Sequence, residues 1–261
     1  MSTIANPVRD ALAAGKLSLG VGVRGLRSGE IARMMKSAGF DWLFIDLEHG
    51  PSSVETAFTI SVAALDAGIV PIVRVPEGEM VLAARCLDGG ALGVFVSHVE
   101  TVEDAQAAVQ ALRFPPLGHR SAGGSYPQLG FRGGSSKDVL PAIDAATMIM
   151  ATLETATAVN NAAAIAAVPG IDVLTMGLND LSVDMGIPGQ LGHDKIAVAV
   201  SRVADAARGA KKSAGFGGVY QSDLIKNYVG LGMRMVLCGN DVGLLMAAAT
   251  ERANFVRSCA S

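Results

Sequence analysis

Several things are scarce in this chain, and each scarcity closes off a class of protein. Cysteine occurs three times in 261 residues, at Cys86, Cys238 and Cys259. Their wide separation matches no zinc or redox spacing, so they read as small buried or surface thiols. No basic run is longer than the dipeptide Lys211-Lys212, and the formal net charge is −3. Without a broad positive field, nucleic acid is not expected as a partner and any anionic ligand must be held locally. No apolar run approaches the ~18 residues that would cross a bilayer. Arg9 and Asp10 stand where a secretory apolar segment would lie, so a cytoplasmic protein with no membrane partner is expected. Aromatics are 5% and charged residues 17%, against 31 Gly and abundant Ala. That balance suits helices packed closely on a sheet and not a disordered tail.

What is plentiful is the short run of Val, Ile and Leu. Such runs fall at 17–23, 42–47, 69–75, 91–99, 148–154, 171–177, 214–220 and 233–239. Their near-continuous hydrophobicity is that of strands covered on both faces. Between them, 28–39, 53–68, 101–113 and 156–168 have helical periodicity. Ser28, Ser53 and Thr101 can accept from free N–H groups at helix starts, while Gly39 and Gly68 can end helices in the left-handed conformation. Eight strand–helix repeats in this length predict an α/β protein, a closed (β/α)8 barrel, as one domain over 1–261. An open doubly wound sheet is the alternative, but GVGVRG at 20–25 is too weak a match to its glycine-rich turn.

One segment breaks the rhythm. Positions 115–138 hold six Gly and three Pro in 24 residues, without periodicity. A connection of that length is expected to be functional, as an active-site cover or as an arm to a neighbouring subunit. His119, Arg120, Tyr126 and Arg132 sit in it.

A barrel of this type builds its active site at the C-terminal strand ends. Those ends carry Asp46, Glu48 and His49 after strand two, Arg74 on strand three, His98 and Glu100 after strand four, Glu154 after strand five, and Asn179 and Asp180 after strand six. The N-terminal ends show no comparable cluster in the sequence. Unpaired buried charges would be costly, so these groups must neutralise one another or a bound ion. Glu154 and Asp180 are hard oxygen ligands suited to Mg2+ or Mn2+ completed by water and substrate. The strand period of two puts Arg74 and Glu154 toward one volume if those faces point inward. Arg74 then either supports an oxygen gaining negative charge or forms an ion pair with Asp46 or Glu48. His49, held by the turn Gly50-Pro51, can serve as general base, with Asp46 accepting from one ring nitrogen.

The segments FDWLFIDLEHGP (40–51), PIVRVP (71–76), RFPPLGHRS (113–121), LETATAVNN (153–161) and GLNDLSVDMG (177–186) occur in order through nearly the whole chain. Together they closely resemble the HpcH/HpaI aldolase family, metal-dependent pyruvate aldolases that include 4-hydroxy-2-oxoheptanedioate and 2-keto-3-deoxyglucarate aldolases. The resemblance implies a (β/α)8 barrel that reversibly cleaves 4-hydroxy-2-oxo acids to an aldehyde and pyruvate, or a close 2-oxo acid such as hydroxypyruvate. It implies Glu154 and Asp180 as ligands of Mg2+, Mn2+ or Co2+, and His49 as the acid/base paired with Asp46. It further implies Arg74 on the pyruvate carbonyl oxygen, Glu48 holding water on the metal, and Asp88 approaching the His of a neighbouring subunit. The pyruvate carboxylate is expected on backbone N–H groups from Gly177 through Leu178 and Asn179 to Asp180. A homohexamer, a trimer of dimers, is also implied.

Three positions depart from the usual pattern of that family. Thr152 stands where Gln is common at the substrate border, Leu178-Asn179 where Pro-Ala is common, and Ser97 where Pro is common. They leave the metal and pyruvate assignments in place and leave the aldehyde unnamed. No Schiff base is expected, because no strand end from two to six carries Lys. Rival readings are an oxaloacetate decarboxylase, a citrate-lyase-like acyl-CoA lyase, and a non-catalytic barrel that binds a 2-oxo acid.

Overall fold

The computed structural model describes residues 4–259; the expected domain span of 1–261 runs past them at both ends. In chain order the elements are α1 (Pro7–Ala13), β1 (Ser18–Val23), α2 (Glu30–Ser37), β2 (Trp42–Asp46), α3 (Val54–Ala67), β3 (Val70–Val75), α4 (Met80–Asp88), β4 (Gly93–Val96) and α5 (Val102–Leu112). There follow α6 (Ser136–Ala146), β5 (Met148–Leu153), α7 (Ala156–Ala167), β6 (Val173–Gly177), α8 (Leu178–Asp184), α9 (Asp194–Gly209), β7 (Ser213–Gly217), α10 (Ser222–Gly230), β8 (Met235–Asn240) and α11 (Asp241–Ser258). The eight strands pair in parallel, each with its sequence neighbours, and β8 closes on β1. This is the (β/α)8 barrel expected from the alternation of strand and helix signals.

The period of two in each strand divides the core into two layers. On β2, Leu43 and Ile45 face outward into the sleeve between strands and helices. Trp42 and Phe44 face inward, where both pack on Phe95 with ring centroids 5.6 and 4.9 Å apart. The indole needs room that β1 supplies with a glycine: a Cβ on Gly20 would fall 2.2 Å from the Trp42 ring. Aromatic and Met side chains therefore plug the lower half of the barrel, and the polar groups stay at its upper mouth.

Helix starts follow the sequence signals. Ser53 caps α3 by accepting from the N–H of Thr56, and Thr101 with Asp104 forms a reciprocal capping box on α5. Ser28 accepts from the N–H of Glu30 at 3.2 Å, although the cap position itself is Gly29. Gly68 ends α3 at φ 71°, as expected.

Two features differ from the sequence reading, and a third lies in a stretch that it did not cover. The N-terminal strand ends do carry a charge network: Asp172 meets Arg9 at 3.0 Å and Arg113 at 2.5 Å, and Arg120 meets Asp88 at 2.7 Å. Its physical reason is the end of α6, whose free carbonyls need donors; Arg113 donates to the carbonyl oxygens of Asp144 and Thr147 at 2.6 and 3.1 Å. The segment 115–138 runs from α5 into the start of α6, and its bonds to the chain ahead of β4 place it at this same end, away from the mouth of its own barrel. There Gln128 donates to the carbonyl oxygens of Leu87 and Ala91, and Tyr126 is buried. Finally, α11 does not back the barrel. Asp241 is its one buried residue, and Val242, Leu244, Leu245, Met246, Phe255 and Val256 are exposed. Leu19 on the neighbouring β1 is exposed as well.

Candidate active site

The upper mouth opens on a cavity of about 170 Å³, lined among others by Arg24, His49, Arg74, Thr152, Glu154 and Asp180. Its centre of charge is Asp46, the last residue of β2, which is fully buried. Asp46 lies in register with Arg74 on β3. The Arg74 guanidinium donates to it twice, Nε to Oδ1 at 3.0 Å and Nη2 to Oδ2 at 2.7 Å. Arg24, just past β1, adds Nε and Nη2 to Oδ2 at 3.2 and 3.0 Å. The backbone N–H groups of Glu48 and His49 complete the set, both at 3.1 Å to Oδ1. Burial alone would raise the Asp46 pKa; the fork from Arg74, the His49 N–H and the Arg24 charge outweigh it and hold the carboxyl below its usual range. Burial likewise lowers the Arg74 pKa, and the bonds and charges of Asp46, Glu48 and Glu154 raise it further than burial depresses it.

The ion-pair reading of Arg74 is thus realised. It is ion-paired to Asp46 and, through Nη1 at 3.1 Å, to Glu48, and it also lines the cavity. Phe44 underlies it, with the guanidinium carbon 5.0 Å from the ring centroid. The expected bond between Asp46 and the His49 ring is not formed. Asp46 instead fixes the main chain of the turn that carries His49, and the ring, 59% exposed, has Nε2 3.8 Å from Glu48 Oε2. Glu48 is steadied by Ser97, whose hydroxyl lies 3.2 Å from Oε2 and also bonds the Val75 carbonyl oxygen.

Across the mouth, Glu154 follows β5 and is 4% exposed. It accepts from the N–H of His98 at 3.3 Å, and His98 Nδ1 lies 3.5 Å away. His98 reaches this position with φ 54°, a left-handed conformation uncommon for a residue with a side chain. Burial raises the Glu154 pKa; His98 lowers it in part, while the charges of Asp180 and Glu48 raise it again. Gly177 makes the room, because a Cβ there would fall 2.2 Å from Glu154 Oε1. A buried carboxylate destabilised by two others is a place where a cation would be stabilising. No group of three His, Cys, Asp or Glu able to hold a metal ion exists among the described residues. The donors fit a hard ion that takes two protein carboxylates, Glu154 and Asp180, and draws its remaining oxygens from water and substrate. Gly177, Leu178, Asn179 and Asp180 line the cavity where α8 begins, and Gly177, its N-cap, offers no capping oxygen. Thr152 meets Thr175 Oγ1 at 3.3 Å.

Two expected groups lie elsewhere. Glu100 accepts from Thr155 Oγ1 at 2.6 Å and braces the start of α7. Asp88 ends α4 at the opposite face, paired with Arg120. Two residues at the mouth went unread in the sequence. Arg24 lies within GVGVRG, tested there only as a phosphate-loop pattern, although its place just past a strand run is the same signal that marked Asp46 and Glu154. Asp241, buried at the start of α11, takes the N–H groups of Arg24, Gly25 and Leu26 at 3.0, 2.9 and 2.7 Å.

With that geometry in view, residues 25–248 match the sequence model of the HpcH/HpaI aldolase/citrate lyase family. The chain belongs to the HpcH/HpaI family. Among its relatives, the 4-hydroxy-4-methyl-2-oxoglutarate aldolase of Chaetomium globosum is 38% identical over 255 residues, covering 96% of this chain and 95% of that one. The 4-hydroxy-2-oxo-heptane-1,7-dioate aldolase of Salmonella dublin is 34% identical over 244 residues, covering 94% and 92%. The crystal structure of an HpcH/HpaI aldolase from Desulfitobacterium hafniense superposes with a TM-score of 0.90 at 28% identity, covering 95% of this chain and 96% of that one. The HpcH/HpaI family makes the chain a carbon–carbon lyase of the aldolase class. Among the described residues no helix is long and apolar enough to cross a membrane.

Proposed function

We propose that this chain is a divalent-metal-dependent pyruvate aldolase that splits 4-hydroxy-2-oxo acids between C3 and C4 into an aldehyde or ketone and pyruvate. The observation that carries the reading is the placing of His49, Arg74, Glu154 and Asp180 on one cavity. Two of the five N–H groups of Arg74 are hydrogen-bonded to Asp46 and Nη1 is ion-paired with Glu48, which leaves the end of the guanidinium free to meet the C2 oxygen of the substrate. A guanidinium held this rigidly is suited to an oxygen whose negative charge grows as the bond breaks. His49, exposed at the rim, accepts the C4 hydroxyl proton. The C3–C4 electron pair passes to C2 and C3 as an enolate, which is then protonated at C3. When bound between Glu154 and Asp180, Mg2+, Mn2+ or Co2+ would supply further positive charge to the carboxylate and C2 oxygen of the substrate. No lysine lines the cavity among the described residues, which supports this route over a Schiff base.

The chain acts, in this reading, as a cytoplasmic homo-oligomer. The apolar α11, which its own barrel leaves uncovered, supports an assembly. The test is pyruvate release, coupled to lactate dehydrogenase, over a panel of 4-hydroxy-2-oxo acids with oxaloacetate as comparison. Cleavage that stops after exhaustive EDTA dialysis and returns with Mg2+ or Mn2+ is the expected result. Turnover of oxaloacetate alone would move the reaction to decarboxylation.

A further inference from the structure

Arg24 has no task in the chemistry just described, yet it is built into the mouth. Its main chain is fixed: Asp241, itself 5% exposed, accepts the N–H groups of residues 24, 25 and 26. Its guanidinium presents one edge, Nε and Nη2, to Asp46 Oδ2 at 3.2 and 3.0 Å. The end of the fork, Nη1 with the outer N–H of Nη2, has no hydrogen-bond partner among the described residues, and the side chain stays 42% exposed. Asp46 does not need it for neutrality, since Arg74 already forms a complete two-bond fork with that carboxylate. Arg24 is therefore a second cavity-lining guanidinium with an open bidentate end, the geometry that matches a carboxylate.

Its position in the ring says which carboxylate. Arg24 is the first residue past β1 and Glu154 the first past β5, four strands apart in the closed barrel. A 2-oxo acid whose head lies at Glu154 and Asp180 extends its tail across the mouth toward β1. We propose that Arg24 determines specificity for the acceptor half, binding a second carboxylate at the end of the substrate distal to the 2-oxo group. The inference rests on the aldolase reading above and narrows it to dicarboxylic 4-hydroxy-2-oxo acids.

The test is calorimetric titration of the full chain in Mg2+ with 2-oxoglutarate and with 2-oxopentanoate, which share a carbon chain and differ by the second carboxylate. Wild type is expected to prefer 2-oxoglutarate by on the order of 10- to 100-fold, the range of a charge-assisted fork. Arg24→Met should bring the ratio close to one, and Arg24→Lys, which keeps the charge without the fork, should recover part of it. A wild-type ratio near one, or failure of wild type to bind either acid, overturns the proposal. So does an Arg24→Met protein that keeps the ratio while binding both acids more weakly, or that binds neither, since Arg24 would then only brace Asp46. Failure of the aldolase reading shows separately, as no pyruvate released from any 4-hydroxy-2-oxo acid while the binding ratio remains measurable.

Discussion

Asp46 and Arg74 sit opposite one another on adjacent strands, and two hydrogen bonds of 3.0 and 2.7 Å lock carboxylate to guanidinium across that register. Their pairing serves stability and chemistry at once, because the same fork that neutralises Asp46 fixes where the free N–H groups of Arg74 point. Asp46→Asn keeps the volume and removes the charge, leaving Arg74 buried beside a weaker acceptor. A loss of about 3–5 kcal/mol is expected in urea unfolding at pH 7, the range for breaking a buried pair.

The pH dependence of that loss has a definite sign. The folded carboxyl titrates below its ordinary value of 3.8, because Arg74, the His49 N–H and Arg24 outweigh burial. Its contribution is complete above pH 3.8 and is lost as pH falls through the lower folded value. The stability gap between wild type and Asp46→Asn should therefore narrow below pH 3.8. A gap that stays constant from pH 7 to pH 3 would remove the charge from the explanation.

His49→Ala is expected to lower aldol cleavage by about 10²- to 10⁴-fold, the usual share of a general base. Metal affinity and unfolding midpoint should stay near wild type, since the ring forms no hydrogen bond or ion pair with Glu154 or Asp180 and is mostly exposed. Calorimetric metal titration of the variant checks the assignment, and a large fall in affinity would reassign His49 to the metal site.

Glu154→Gln and Asp180→Asn should each weaken metal binding and cleavage together. Glu154→Gln should also be at least as stable as wild type without metal, because burial and the charges of Asp180 and Glu48 disfavour the Glu154 carboxylate. Thermal melts with and without Mg2+ separate the two effects: wild type should gain on adding metal, and the variant should not.

The Cys86 thiol is buried and its pKa is pushed up to about 12 by that burial. At pH 8 it should resist a thiol reagent until the chain unfolds, while exposed Cys259 reacts at once. Equal rates for the two in native protein would mean that α4 opens readily.

How far the sequence reached follows from the range of each interaction. The strands, the caps at Ser53 and Thr101 and the turn at Gly68 are local, and their signals lie within a few residues. The convergence of His49, Arg74, Glu154 and Asp180 was also legible, because a closed barrel brings all strand ends to one rim. The bond made by Asp46 was misread: a spacing of three suggested a contact with the His49 ring, but the turn bends the main-chain N–H toward the carboxylate. The network of Arg9, Arg113 and Asp172 joins residues far apart in the chain, and nothing local announces it. Nor does periodicity say which surface a helix covers. The Leu, Met and Phe side chains of α11 are turned to solvent.

That helix has a mechanical consequence for the mouth. α11 is 18 residues long, a rod of about 27 Å, and its first residue is the carboxylate that grips the N–H groups of the loop bearing Arg24. Rod and loop share a pivot. A shift of the rod at its first turn is therefore carried through one carboxylate to the main chain beneath Arg24.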